Sequence, residues 1–440
     1  MKKILILGAG LVAGPMVDYL LKQNDFYVTI ADKEHDRAKS LLGNAENGTA
    51  LDLDVKNKEG LTKLISESDI VISLLPYTFH VSVAEICIDQ KKHLVTASYV
   101  SPAMKALDEK AKENGLLFLN EIGLDPGIDH MSAMKIIHEV EENGGKVVSF
   151  ESICGGLPAP DANDNPFGYK FSWSPRGVVM AGRNAAHYLK DGKEIFIDGK
   201  DLFMNNWQKD VETLGTMEVY PNRDSMIYKE LYGLHDAQTI FRGTFRNSGW
   251  CQTILGLSRL CFLDDTERPE LAGKSFAEVT AWLVGTDDAK NIKSIVANKL
   301  GLAEDSDVIT KLDWLGLFSD EIVNADPMTI LDILANRMLA KMQYKEGERD
   351  MIVLQHDFVA EYSDKKEHIT SLLIDYGIPN GDSSMARTVS LPAAIAVKLI
   401  LEDKIKLTGV CIPNLPEIYL PVLKELEGMG IKFKDTVNSI

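Results

Sequence analysis

Six short apolar runs recur along the first 125 residues: KILILG (3–8), YVTIAD (27–32), ALDLDV (50–55), IVISLLP (70–76), HLVTAS (93–98) and LLFLNEIG (116–123). Each is a few residues long, rich in Ile, Val and Leu, and bounded by Gly, Pro or polar residues, the pattern of strands buried on both faces. Amphipathic stretches fill the gaps, at 12–24 and in SPAMKALDEKAKENG (101–115). This alternation predicts an α/β fold with a doubly wound parallel sheet. Past residue 145 the rhythm changes. KVVSFESICGGLP reads as a strand leaving that sheet, and the stretch after it, 158–177, holds four prolines. Residues 265–345 are mostly helical and more charged, 350–362 and 365–377 read as an antiparallel strand pair, and 384–404 reads as a helix with Pro392 in its first turn or at a kink.

The turn after the first run, LGAGLVAGPMVDYLL, matches G-x-G-x-x-A at Gly8, Gly10 and Ala13. The first glycine makes the tight turn, the second lets backbone approach a pyrophosphate, and the alanine lets the helix lie close to the sheet. The helix N-terminus then faces the phosphates. Asp32 ends the second run, where a carboxylate hydrogen-bonds a ribose 2′-hydroxyl and repels a 2′-phosphate. This favours NAD over NADP, against the nearby basic Lys33 and Arg37.

Charge narrows the field. Formal net charge is −18 and the sequence pI about 5.0, which argues against a nucleic-acid surface. MKKILILG opens like a signal peptide, but its apolar run is too short. No stretch is expected to reach the roughly 18 apolar residues of a membrane span. The five cysteines include no CxxC pair, as expected of reduced thiols in a cytoplasmic protein.

LNEIGLDPGIDHMSAMKII (119–137) gathers Glu121, Asp125, Asp129 and His130. Asp125 before Pro126 suits a helix N-cap, with the helix ending near Asn143 at Gly144-Gly145. A metal site would need a third ligand at good spacing; His138 lies two turns beyond His130, and helix-packing histidines are the default, so no metal is expected. Ser98 and Tyr99 follow the fifth run, at the edge where such sheets bind ligands. Cys154 precedes Gly155-Gly156, and Trp173 in KFSWS is either a pocket wall or core.

Taken in order, GAGLVAGP, SLLPYTFH, VTASYVSPAM, NEIGLDPGIDH, CGGLPAP, NPFGYKFSWSPRGV, YPNRDS, RGTFR, WLGLF and SSMARTVSLPAAIA resemble the glutamate-forming saccharopine dehydrogenase family, from end to end. The resemblance implies an N-terminal Rossmann domain (1–125, rejoined by 384–440), a mixed α/β substrate and dimerisation domain (126–264 and 346–383), and a small helical insertion (265–345). It implies reversible oxidation of saccharopine to L-glutamate and 2-aminoadipate 6-semialdehyde with NAD or NADP in lysine metabolism, by a cytoplasmic homodimer. Fungal members use NADP and the catabolic domain of animals and plants typically NAD; Asp32 makes this chain look catabolic. Substrate contacts are implied at Ser98, Tyr99, Asp125, Arg223, Thr244, Phe245 and Arg246, and cofactor contacts at Gly8, Ala9, Gly10, Leu11, Val12, Asp32, Leu75, Thr96, Leu124, Asp125, Pro126 and Ser174. Saccharopine carries three carboxylates, which suit the planar guanidinium of Arg223 and Arg246. Asp125, Tyr99 and Cys154 are the candidates for the base that takes the amine proton and activates water, and the sequence does not rank them. One rival is a same-fold dehydrogenase of another amine-linked amino acid, of carboxyspermidine type. Another is a non-catalytic cofactor-binding protein.

Overall fold

The computed structural model describes residues 1–440. The chain divides into two compact units, residues 1–146 with 373–434 and residues 147–372 with 435–440.

The first unit is built on a seven-stranded sheet. Six strands come from the N-terminal part: β1 (Lys2–Leu7), β2 (Phe26–Asp32), β3 (Gly48–Asp52), β4 (Ile70–Ser73), β5 (His93–Val95) and β6 (Leu117–Leu119). The strand Gly409–Cys411 pairs with β6, and the order from there is β6, β5, β4, β1, β2, β3. Every pair is parallel. The expected doubly wound sheet is therefore present. β1 is central, and Ile4 to Leu7 are at most 1% exposed, which is why that run carries no polar alternation. The order reverses between β1 and β4, and ligands bind such sheets beyond the strand carboxyl ends at that switch point.

Several boundaries differ from the sequence reading. The first helix is Gly14–Leu21 rather than 12–24, because residues 11 and 12 still belong to the glycine turn. The 101–115 stretch forms two short helices, Pro102–Lys105 and Asp108–Glu113. β6 stops at Leu119, because the next amides turn elsewhere: Asn120 donates to Cys411 O at 2.9 Å and Glu121 to Ser98 O at 3.1 Å. Asp125 does not cap the following helix, which runs Ile128–Glu142 with Gly127 at its N-cap. Gly127 has φ +148°, and a Cβ there would lie 2.0 Å from Gly123 O, so only glycine fits. The capping carboxylate is Asp129, whose Oδ1 accepts from Gly127 N at 2.6 Å and His130 N at 2.8 Å. The helix ends at Asn143, and His138 Nδ1 meets Tyr419 OH at 2.7 Å on the helix Pro416–Gly428. The helix thus belongs to the first unit, whereas the resemblance implied that it belongs with the substrate domain.

One helix, Ser384–Leu401, is long and apolar enough by composition to cross a membrane, contrary to the expectation that no stretch would be. Most of it is buried in the first unit, where it packs on the first helix, and Pro392 lies inside it.

The second unit has a mixed sheet. Its strand Thr239–Arg246 runs parallel to Lys146–Pro158 on one side and antiparallel to Gly215–Pro221 on the other. Asp350–Glu361 and Lys366–Tyr376 continue the sheet beyond Lys146–Pro158. Four helices, Phe276–Val284, Ile292–Leu300, Asp307–Leu315 and Ile330–Lys341, occupy the charged stretch. The first opens on a capping box between Ser275 and Glu278.

In the first unit Arg387 holds the buried Asp375. Its Nη1 donates to Oδ1 at 2.9 Å and Oδ2 at 3.0 Å, and its Nη2 donates to Met429 O at 3.0 Å. Removing one partner of a buried pair leaves the other charge uncompensated. Arg387→Ala is expected to destabilise this unit by on the order of 3 kcal/mol, read as a lower urea midpoint; an unchanged midpoint would show that the pair holds nothing together.

Candidate active site

The glycine turn sits at the switch point. Gly8 has φ +104°, and its amide donates to Ala31 O at 2.9 Å. A Cβ on Gly10 would meet nothing within 4 Å, so the backbone there faces open space, as a pyrophosphate requires. Ala13 is buried against the sheet. Leu11 is exposed and Val12 half-buried. Ala9 is buried and its amide donates to Asp32 Oδ2 at 2.6 Å, so it shapes the turn and does not offer that amide to a phosphate. Asp32 Oδ1 accepts from Glu34 N at 2.8 Å. The carboxylate at the end of β2 is thus fastened by two amides beside the turn, while Lys33 and Arg37 are exposed. These features fit a dinucleotide.

Leu75, half-buried, follows β4; Thr96, Ser98 and Tyr99 follow β5. Between these strand ends lies a residue the sequence reading passed over. His80, the first residue of the helix His80–Gln90, is only 4% exposed. Its Nδ1 is 2.9 Å from Ser73 Oγ, and its Nε2 is 2.8 Å from Ser98 Oγ and 3.3 Å from Thr96 Oγ1. Burial lowers its pKa to about 4, so the ring is neutral at neutral pH. The available signal was a lone histidine opening an apolar helix beside a strand end, and nothing local marks it as more than packing.

Tyr99 OH donates to Asp125 Oδ1 at 3.1 Å, which brings two of the candidate bases together. Glu121 accepts from Val100 N at 2.8 Å and meets His130 Nε2 at 2.7 Å. Glu121, Asp129 and His130 are buried, whereas Asp125 is half-buried between buried Leu124 and Pro126. Of that acidic group, Asp125 alone is placed to meet a ligand.

In the second unit Cys154 is the register partner of Thr244, Tyr220 also partners Thr244, and Glu218 partners Arg246. Strand alternation puts Thr244 and Arg246 on one face and Phe245 on the other. Phe245 is fully buried, so only its backbone is available there, and its carbonyl accepts from Arg246 Nη1 at 2.8 Å. Arg246 is 5% exposed and pairs with no carboxylate. Glu218, directly opposite, spends both oxygens on Gly249 N at 2.7 Å and Cys251 N at 2.9 Å. Three rings surround the guanidinium, Tyr169 at 5.0 Å, Trp250 at 5.4 Å and Tyr220 at 5.8 Å, and its Nε has no partner. A buried cation without a counter-ion is costly unless an anion arrives. Arg223 differs: it is exposed on a left-handed turn (φ +56°) after Gly215–Pro221. Trp173 is half-buried against Gly177. Ser174 caps the helix Pro175–Ala181 by accepting from Gly177 N at 3.2 Å.

Two family models match the chain. The saccharopine dehydrogenase NADP binding domain matches residues 4–119, and the saccharopine dehydrogenase C-terminal domain matches 123–431. The chain belongs to the saccharopine dehydrogenase family. Among its relatives, saccharopine dehydrogenase [NADP(+), L-glutamate-forming] of Schizosaccharomyces pombe is 41% identical, with 99% of both chains covered. The mitochondrial alpha-aminoadipic semialdehyde synthase of Rattus norvegicus is 38% identical over 98% of this chain and 47% of its own length. The solved apo saccharopine dehydrogenase (L-Glu forming) of Saccharomyces cerevisiae superposes with a TM-score of 0.90 at 40% identity, covering all of both chains.

The depressed pKa of His80 has a signed consequence. Below about pH 6.5 the unfolded chain takes up a proton at this ring that the folded chain refuses until about pH 4. Stability is therefore retained above pH 6.5 and falls as pH drops through that window, by on the order of 3 kcal/mol from this group. Denaturant midpoints at pH 6.5 and 4.5 should fall less steeply in His80→Gln than in wild type; parallel slopes would remove His80 from the acid transition.

Proposed function

We propose that this chain oxidises saccharopine to L-glutamate and 2-aminoadipate 6-semialdehyde with a nicotinamide dinucleotide, in lysine metabolism. The observation that carries the substrate reading is Arg246, a buried cation in an aromatic pocket with no protein counter-ion. A substrate carboxylate supplies the missing charge, and exposed Arg223 offers a second site for one. Because the aldehyde ends up on the aminoadipate product, the hydride leaves the methylene beside the secondary amine on the lysine-derived arm. Water then adds to the imine carbon, and the C–N bond breaks to release glutamate. A nicotinamide held by the glycine turn would supply the hydride acceptor. In the first unit Ser98 would orient substrate, while Asp125, held by Tyr99, would take the amine proton and then activate the water. Cys154 remains a third candidate base beside Thr244. Leu75, Thr96, Leu124 and Pro126 would complete the dinucleotide site with the glycine turn. The matching relatives over the full chain length and the two carboxylate-binding arginines count against a carboxyspermidine-type substrate and against a non-catalytic role.

For the cofactor we infer a preference for NAD. The support is Asp32, whose charge is fixed by two amides where a 2′-phosphate would lie. The Schizosaccharomyces pombe relative is named for NADP(+), and the matching N-terminal model is described as NADP binding. We also place the protein in the cytoplasm, which its five unbridged cysteines favour, and read it as a homodimer, checkable by light scattering.

Purified protein with saccharopine and either nucleotide should reduce NAD at least about tenfold more efficiently in kcat/KM, or roughly 1.4 kcal/mol. Asp32→Ser should narrow that gap. No reduction with either nucleotide would sink the function, and a wild-type preference for NADP would show that Lys33 and Arg37 outweigh Asp32. Arg223→Ala is expected to weaken saccharopine use by on the order of 2–4 kcal/mol with cofactor binding intact. Unchanged kcat and KM would remove Arg223 from the site.

A further inference from the structure

His80 occupies a position that none of the assigned roles uses. It is buried between the ends of β4 and β5, and it touches hydroxyls at both of them, Ser73 on β4 and Ser98 past β5. We propose that His80 is a positioning residue that fixes the Ser98 hydroxyl as a hydrogen-bond donor toward a substrate carboxylate. The proposal rests on the saccharopine reading for the identity of the carboxylate, but not for the relay itself.

A neutral imidazole has one N–H and one acceptor nitrogen. Ser73 is 1% exposed, and His80 Nδ1, at 2.9 Å, is its hydroxyl's partner. A buried hydroxyl proton without an acceptor is costly, so Nδ1 must accept from Ser73. The ring proton then sits on Nε2, which donates to Ser98 Oγ at 2.8 Å. With its oxygen already accepting, Ser98 is left with a proton and no protein acceptor for it, half-buried at the ligand edge of the sheet. That is the polarity a carboxylate needs. In the other tautomer the Ser98 proton would be spent on Nε2, and the serine would turn lone pairs toward an anion. Thr96 is the one neighbour that favours the other tautomer, because its hydroxyl could donate to Nε2. Its contact is longer, at 3.3 Å, and its oxygen already accepts from Ser98 N at 3.3 Å. The shorter Ser73 bond decides the tautomer. Burial keeps the ring neutral, so the relay does not reverse by protonation near neutral pH.

Two measurements test this. The first uses ligand-free protein with ¹⁵N-labelled histidine, in which the His80 signals are assigned by their loss in His80→Gln. Long-range proton–nitrogen correlation is expected to show Nε2 protonated and Nδ1 unprotonated; the reverse overturns the proposal whatever the enzyme's substrate. The second is a double-mutant cycle on saccharopine kinetics. Ser98→Ala should raise KM about tenfold with kcat within about threefold, the loss of one hydrogen bond to a charged group. His80→Leu should do the same, and His80→Leu with Ser98→Ala should be no worse than either alone. His80→Gln, whose terminal amide can still donate to Ser98, should restore KM to within about threefold of wild type. Multiplying effects in the double variant, or no recovery with glutamine, would mean that His80 serves packing only. If wild type turns over no saccharopine, the functional reading fails while the tautomer measurement still decides the relay.

Discussion

Burial of β1 on both faces constrains everything else in the first unit. A central parallel strand has no wet face, so its backbone groups must be paired within the sheet and its side chains must be apolar. Polar chemistry is thereby pushed past the strand ends. The carboxyl edge collects Asp32, Ser73, His80, Ser98 and Tyr99 within a few residues of where each strand stops. Reversal of strand order between β1 and β4 opens a crevice at that edge, and the glycine turn lines it with exposed backbone.

The second unit solves a different problem. The protein carries a net charge of −18, yet it must attract a polyanionic substrate. It does so locally. Glu218, the nearest carboxylate by strand register, is diverted to the N-terminal amides of the helix Trp250–Arg259, so Arg246 keeps its full attraction for an incoming anion. The aromatic rings around the guanidinium exclude water and offer their π faces, which holds the cation without neutralising it. A local field set by one diverted carboxylate thus overrides the global sign.

Long-range order was legible where composition repeats: six of the seven parallel strands show as apolar runs, and the glycine turn names its own geometry. The seventh strand, Gly409–Cys411, is three residues long and leaves no periodic trace. The start of the helix at Ile128 was misplaced because Asp125 before Pro126 has the local chemistry of a cap, whereas the deciding constraint is the packing of Gly127 on Gly123, a contact that no local rule encodes. His80 was invisible for the same reason. Its partners lie seven and eighteen positions away on two strand ends, and only the sheet brings them to one ring. Residue types at the site could be read from motifs; their protonation and polarity could not.

The edge strand Gly409–Cys411 belongs to the first unit but is encoded after residues 147–372, the main body of the second. During synthesis the ribosome therefore delivers β1 to β6 long before their last neighbour. Until then β6 presents an unpaired row of amides and carbonyls, the kind of edge that invites pairing with another nascent chain. Ser384–Leu401, the helix that packs on the first helix, emerges just ahead of that strand. The nucleotide-binding half is thus started before the main body of the second unit and closed after it, and its edge stays open while residues 147–372 are being made.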